Sequence, residues 1–258
     1  MVPRLEAPPI VEVVCGFFFS PVPALDPLFV GKYWAEKKER HGYPMRQLHP
    51  PVADRPGIVF GDGVGPLRSW LVSASDEYVI QIQPDRLYFN WRRRSGEYPH
   101  FRDHAGNEGV LTKGLRELGE LSDFCAATLG QKLSPLRLEL AKIDQLVQPR
   151  HFTDFRDLAK LVRVVAPVLS VTKSGEPMLN LNIVEARDGY EVLFQMTNSA
   201  LGPNGEPAVQ FETRTNAEVG NVSIREKFLA MNDVVNEVFF GMLDDAASGW
   251  RRFGGVKS

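Results

Sequence analysis

Between Trp70 and Arg94 apolar and polar side chains alternate residue by residue, and only an extended strand puts every second side chain on one face. Ser75-Asp76-Glu77 and Pro84-Asp85 interrupt the pattern with turn-forming residues. The segment therefore predicts a three-stranded antiparallel meander of Ser69–Ser73, Tyr78–Gln83 and Arg86–Arg93. Ile80, Ile82, Leu87, Phe89 and Trp91 fall on a core face. Gln81, Gln83, Tyr88, Asn90 and Arg92 fall on the other, which is polar with an aromatic element.

Around the meander the chain switches between two periods. Ile10–Phe19, rich in Val and Phe, reads as a buried strand behind the helix-breaking Pro8-Pro9. Asp26 to His41 reads as a helix with Leu28, Phe29, Tyr33 and Trp34 near one face, its Lys- and Arg-rich end suited to a helix C-terminus. His49–Pro66 is rich in proline and glycine and reads as a loop with at most a short strand at Gly57–Phe60. Its Gly61–Pro66 tract lacks the following helix that a phosphate-binding turn needs, so it reads as a glycine turn. A helix follows over Gly109–Leu129, with Leu111, Leu115, Leu118, Leu121, Phe124 and Cys125 as its apolar stripe.

The same order then recurs. Leu136–Leu146 alternates as a strand, and Thr153 or Asp154 caps a helix running to about Val165. Strands follow at Pro177–Glu185, Gly189–Asn198 and Ala208–Ala217, the first two joined by an Asp188-Gly189 hairpin turn. Ser223 and Glu226 form a capping box for a long helix to about Ala247, with Ile224, Phe228, Met231, Val235, Phe239 and Met242 in one stripe. The fold class predicted is α+β: two β-α-β-β-β-α halves, 1–131 and 132–258, their antiparallel meanders forming a curved sheet with helices packed on one face and a long C-terminal helix. The second half carries its own polar strand face: Asn180, Asn182, Gln195, Gln210, Glu212 and Arg214.

The formal net charge of −2 gives no whole-molecule field that would draw in nucleic acid or an anionic membrane. No apolar run reaches the length of a membrane span, so a cytoplasmic protein with no membrane partner is expected. Cys15 and Cys125 lie in apolar surroundings and read as small buried hydrophobes of a reducing compartment, with a disulfide or metal site as the alternative.

The string Trp70…Ile80-Gln81-Ile82-Gln83-Pro84-Asp85-Arg86-Leu87-Tyr88-Phe89-Asn90-Trp91-Arg92, followed by Tyr98-Pro99, resembles the signature of a sporadically distributed bacterial family of uncharacterised proteins. Pro8–Glu12, Leu136–Asp144 and Trp250–Gly254 are similar to that family too, so the resemblance covers most of the chain. Where the family tends to carry an Asn, this chain has Lys142 or Asp144. The resemblance implies an architecture and a bacterial, cytoplasmic origin; it brings no activity.

No catalytic residue, metal site or cofactor is assigned. There is no G-x-S-x-G element, and neither cysteine has an activating neighbour in sequence. Asp244-Asp245 sits near a helix end, a place the helix dipole makes unfavourable for acids. His100, Asp103 and His104 would be the acid–base group of an enzyme of unrecognised type, and the His pair a partial metal site short of a third ligand. Trp91, Arg93 and Arg94 beside Arg92, with Trp250, Arg251 and Arg252, pair arginine forks with aromatic rings as nucleic-acid contacts do. The expected function is a non-catalytic binding module that uses Gln81, Gln83, Tyr88, Asn90 and Arg92 to hold a protein partner, a second copy of itself as a homodimer, or a small polar ligand. A nucleic-acid-binding accessory protein and an enzyme are the alternatives. Cross-strand hydrogen bonding alone would be the structural account of the same residues.

Overall fold

The computed structural model describes residues 4–5, 7–50, 67–94, 97–163, 165, 178–243 and 256–257. Its elements are β1 (Arg4–Leu5), β2 (Ile10–Phe19), α1 (Pro27–His41), β3 (Met45–His49), β4 (Arg68–Val72), β5 (Tyr78–Gln83), β6 (Arg86–Arg92), α2 (Val110–Leu129), β7 (Pro135–Val147), β8 (Asn180–Arg187), β9 (Tyr190–Leu201), β10 (Pro207–Glu218), α3 (Ile224–Met242) and β11 (Val256–Lys257). The protein is α+β and mostly antiparallel sheet. Among the described residues nine strands are hydrogen-bonded in the order β3-β4-β5-β6-β2-β7-β10-β9-β8, and β1 pairs separately with β11. Two compact units are built from interleaved stretches of chain. One comprises 14–139 and 218–227; the other comprises 1–13, 140–217 and 228–258.

In the first unit the meander forms as its alternation dictates, in the register Trp70↔Gln81↔Tyr88 and Leu71↔Ile80↔Phe89. It gains a fourth strand, β3, where the sequence reading placed no strand before the loop. Met45–His49 has no β-branched residue; pairing with β4, Met45↔Val72 through His49↔Arg68, gives it its conformation. The Gly57–Phe60 and Gly61–Pro66 readings lie outside the described residues.

Helix α1 starts where Asp26 Oδ1 accepts from the Leu28 and Phe29 amides and stops at Gly42, whose positive φ of 73° ends the turn. Its buried stripe is Phe29, Val30, Tyr33 and Lys37; Leu28, read as part of that stripe, is exposed. Helix α2 lays Gly114 against the Phe89 ring, where an added Cβ would come within 3.2 Å. Leu111, Leu118, Leu121 and Cys125 are buried as read, whereas Leu115 and Phe124 are half-buried. Both cysteines are free and buried, and burial pushes the Cys125 thiol up to about 11.

In the second unit, positive φ at Asp188 (49°) and Gly189 (81°) makes the predicted hairpin turn between β8 and β9. The capping box, which belongs to the 218–227 stretch of the first unit, is formed, Glu226 N donating to Ser223 Oγ (3.1 Å) and Ser223 N to Glu226 Oε2 (3.1 Å). Phe228, Met231 and Val235 of α3 are buried. Val238, with Phe239 and Met242 beside it, packs on Phe194, Met196 and Phe211. The helix read over 154–165 is a 3-10 turn, Phe155–Lys160, with Leu161 N donating to Leu158 O. Apolar residues three or four apart suit either helix, and the tighter form won here. Lys142 and Asp144 are both buried; Lys142 Nζ donates to Asn236 Oδ1 (2.7 Å). The reading of helix beyond Leu243 and the Asp244-Asp245 pair lie outside the described residues.

Gly16, in the middle of β2, has the Tyr88 ring in the place a side chain would take, with an added Cβ 2.8 Å from Tyr88 Cε1 and 3.0 Å from Glu139 Cβ. Gly16→Ala is therefore expected to lower stability by about 1–3 kcal/mol, read from the urea midpoint. An unchanged midpoint would mean the ring is not packed there.

Candidate functional site

The polar face predicted for the meander exists, but it is covered. Gln81 (7 %), Gln83 (3 %), Tyr88 (6 %) and Asn90 (4 %) are almost fully removed from water, although the sequence reading expected an open face. Buried amides must find partners. Arg68 Nη1 donates to Gln81 Oε1 at 2.7 Å, and Gln81 Nε2 donates to Asn90 Oδ1 at 3.0 Å. Above them guanidinium groups lie over rings. Arg68 sits 5.1 Å and Arg92 5.8 Å from the Trp70 ring, and Arg86 (4.7 Å) and Arg137 (4.1 Å) both lie over Phe18. Phe18 meets Tyr88 edge to face, and His49 lies 4.1 Å from Trp70.

The electrostatics follow from that layer. Burial lowers the pKa of Arg68, and burial together with the Arg68 charge lowers that of His49, which favours the neutral imidazole. Burial works against the Arg86 charge too, but Asp85 and Tyr88 outweigh it and hold the pKa above the usual arginine value. Phe18, His49, Arg68 and Arg137 were missed in the sequence. Arg68 and Trp70 two apart on a strand carried the signal; Phe18 looked like plain core, and nothing in sequence joins Arg137 to it.

Among the described residues, those read as nucleic-acid contacts do not form an exposed cluster. Trp91 is 2 % exposed and packs on Tyr98, so its ring offers no face for a base. Arg92 and Arg94 both pair with Asp76, whose positive φ of 57° turns it toward them. Arg93 is half-buried. Trp250, Arg251 and Arg252 lie outside the described residues.

The His100 and His104 rings are 4.5 Å apart, but Asp103 does not join them. It accepts from the Gly109 amide (2.8 Å) at the start of α2, and hydrogen bonds from Thr112 and Gly109 hold its carboxyl below the usual range. Among the described residues no three His, Cys, Asp or Glu side chains gather as a metal site, and no helix is long and apolar enough to cross a membrane.

The second polar strand face is open. Across β8, β9 and β10 the register aligns Asn180↔Thr197↔Gln210, then Asn182↔Gln195↔Glu212, with Arg214 next along β10. Asn180 and Asn182 are exposed, and Gln195, Thr197, Gln210, Glu212 and Arg214 are half-exposed. They hold one another lightly, Gln195 Nε2 donating to Asn182 Oδ1 (2.6 Å) and Arg214 Nε to Glu212 Oε1 (2.9 Å). Asn180, Asn182, Gln195, Thr197, Gln210 and Glu212 line a shallow hollow of about 290 Å³. The only acid in that lining is paired with Arg214, so the hollow offers amide and hydroxyl donors and acceptors.

The fold and this face define an antiparallel α+β sheet protein with an amide-lined surface. Comparison with family models, with curated proteins and with solved structures gives no match.

Gln81→Ala removes the acceptor of Arg68 Nη1 and the donor to Asn90 Oδ1 and is expected to cost about 1–3 kcal/mol, whereas Gln195→Ala should stay within about 0.5 kcal/mol of wild type; urea unfolding of the two variants compares them. Asp103 has a depressed folded-state pKa, so its contribution is present above the ordinary carboxylate pKa of about 3.9 and lost as pH falls through the folded value. Asp103→Asn should therefore be less stable than wild type at neutral pH, with the gap closing in acid. A gap that widens in acid would contradict the assignment.

Proposed function

We propose that the protein is a non-catalytic binding module whose working surface is the open face of β8, β9 and β10. The observation that carries this is the alignment of Asn180, Asn182, Gln195, Thr197, Gln210 and Glu212 around one hollow. Uncovered amides exchange water for a partner's polar groups at little cost, and the fixed strand spacing sets where those groups must lie. The partner is a protein or a second copy of the chain, read through backbone or side-chain polar groups.

The resemblance of the meander to the bacterial family belongs to the same proposal, with a cytoplasmic setting and a duplicated origin for the halves 1–131 and 132–258. Gln81, Gln83, Tyr88 and Asn90 take a structural part in it, because their polar atoms are removed from solvent. Nucleic-acid binding draws little support from Arg92 and Arg94, which share Asp76.

The test compares retained partners in quantitative pull-downs, with native mass spectra of the untreated protein to weigh any copy or ligand held. Asn182→Ala with Gln195→Ala and Gln210→Ala should abolish the retained partner while leaving thermal unfolding unchanged. Gln81→Ala with Asn90→Ala should retain whatever partner its remaining folded fraction can bind. Loss only in the second variant, at equal folded fraction, would overturn the proposal.

A further inference from the structure

The first unit holds a pocket of about 190 Å³, lined by Tyr43, Ser73, Tyr78, Phe89, Lys113, Arg116 and Glu117. That is below the roughly 300 Å³ at which drug-sized sites begin, so a single-ring ligand is the scale that fits. Phe89 is buried, and Tyr78 stacks on it at 5.7 Å with the rings 20° from parallel, which makes one side of the pocket flat and aromatic.

The charges in the lining are not equivalent. Glu117 is buried and ion-paired with Lys37 at 2.5 Å; Lys37 also pairs with Glu120. Tyr43 Oη donates to the other Glu117 oxygen at 3.4 Å. Arg116 pairs with Glu108 at 2.6 Å. Among the described residues Lys113 has no carboxylate in ion-pair reach. Its ammonium donates instead to Tyr78 Oη at 2.9 Å and lies 4.5 Å from the Tyr78 ring. That bond uses the phenol oxygen as acceptor and leaves its proton, and the remaining ammonium protons, to be given elsewhere.

We propose that this pocket binds a small aromatic carboxylate. The carboxylate accepts hydrogen bonds from Lys113 Nζ and Tyr78 Oη, and the ring lies against Tyr78, which Phe89 backs. Glu117 lies one turn along α2 from Lys113 but is paired with Lys37, so Lys113 is the charge left to meet the carboxylate. A charged acceptor is favoured over a neutral one because it adds Coulomb attraction to the Lys113 ammonium to the hydrogen bond that either would accept.

Benzoate and its neutral isostere benzamide test this by ligand-observed NMR titration of the full chain. Benzoate should bind saturably, and benzamide at least about tenfold more weakly, a difference of about 1.4 kcal/mol. Lys113→Met should bring benzoate down to the benzamide level without changing benzamide, and Lys113→Gln gives the same comparison should the methionine variant unfold. Asn182→Ala, on the other unit's open face, should change neither. Equal binding of the two probes, equal binding by wild type and a folded Lys113 variant, or no binding of benzoate at millimolar concentration would overturn the proposal.

Discussion

Arg68, Gln81 and Asn90 form a chain of hydrogen bonds across β4, β5 and β6 beneath a layer of guanidinium groups and rings. Polar groups taken out of water must be satisfied by one another, and a partly satisfied set costs more than an apolar one. This requirement fixes what the meander can be. Gln81 and Asn90 are bonded to each other and to Arg68 under cover, whereas Arg68 Nε and Trp70 Nε1 are buried without a hydrogen-bond partner among the described residues. Gly16 serves the same end, leaving room on β2 for the Tyr88 ring.

The face of β8, β9 and β10 shows the contrast within its own unit. Leu181, Ile183, Phe194, Met196 and Phe211 belong to the core side, where α3 packs. The alternate residues are amides, hydroxyls and a paired Glu212–Arg214, with Val184 and Leu193 in the row beside Arg214, and they remain wet. One face buried and one solvated is the usual economy of an antiparallel sheet. The same composition, amide-rich with one arginine, therefore has two physical meanings in one chain, and burial separates them.

Local periodicity and turn chemistry made much of the fold readable. The strands of the meander, the Asp188-Gly189 hairpin, the Asp26 cap and the Ser223–Glu226 box each depend on residues close in sequence. What failed was set at a distance. Met45–His49 becomes a strand because β4 pairs with it. Leu28 is exposed because α1 turns Phe29, Tyr33 and Lys37 inward, where Lys37 meets Glu117 and Glu120 of α2. The second polar face was legible, because strand alternation alone places Asn180, Asn182, Gln195, Gln210 and Glu212 together. The covering of the first was not, because it needs Phe18 and Arg137, which lie far from the meander on either side of it in sequence. The pocket beside Lys113 was equally hidden, since its walls come from β5, β6, α2 and the turns around Tyr43 and Ser73.

The distinction between a committed and an available polar face can be read directly from the exchange of side-chain amide protons with water. In an NMR hydrogen-exchange experiment on the isotope-labelled protein, the Gln81 Nε2 protons should be protected, being bonded to Asn90 under cover. Those of Asn180 and Gln210 should exchange at rates close to those of free amides. Protection of Asn180 and Gln210 together with fast exchange at Gln81 would contradict the account, because the working surface would then lie on the meander.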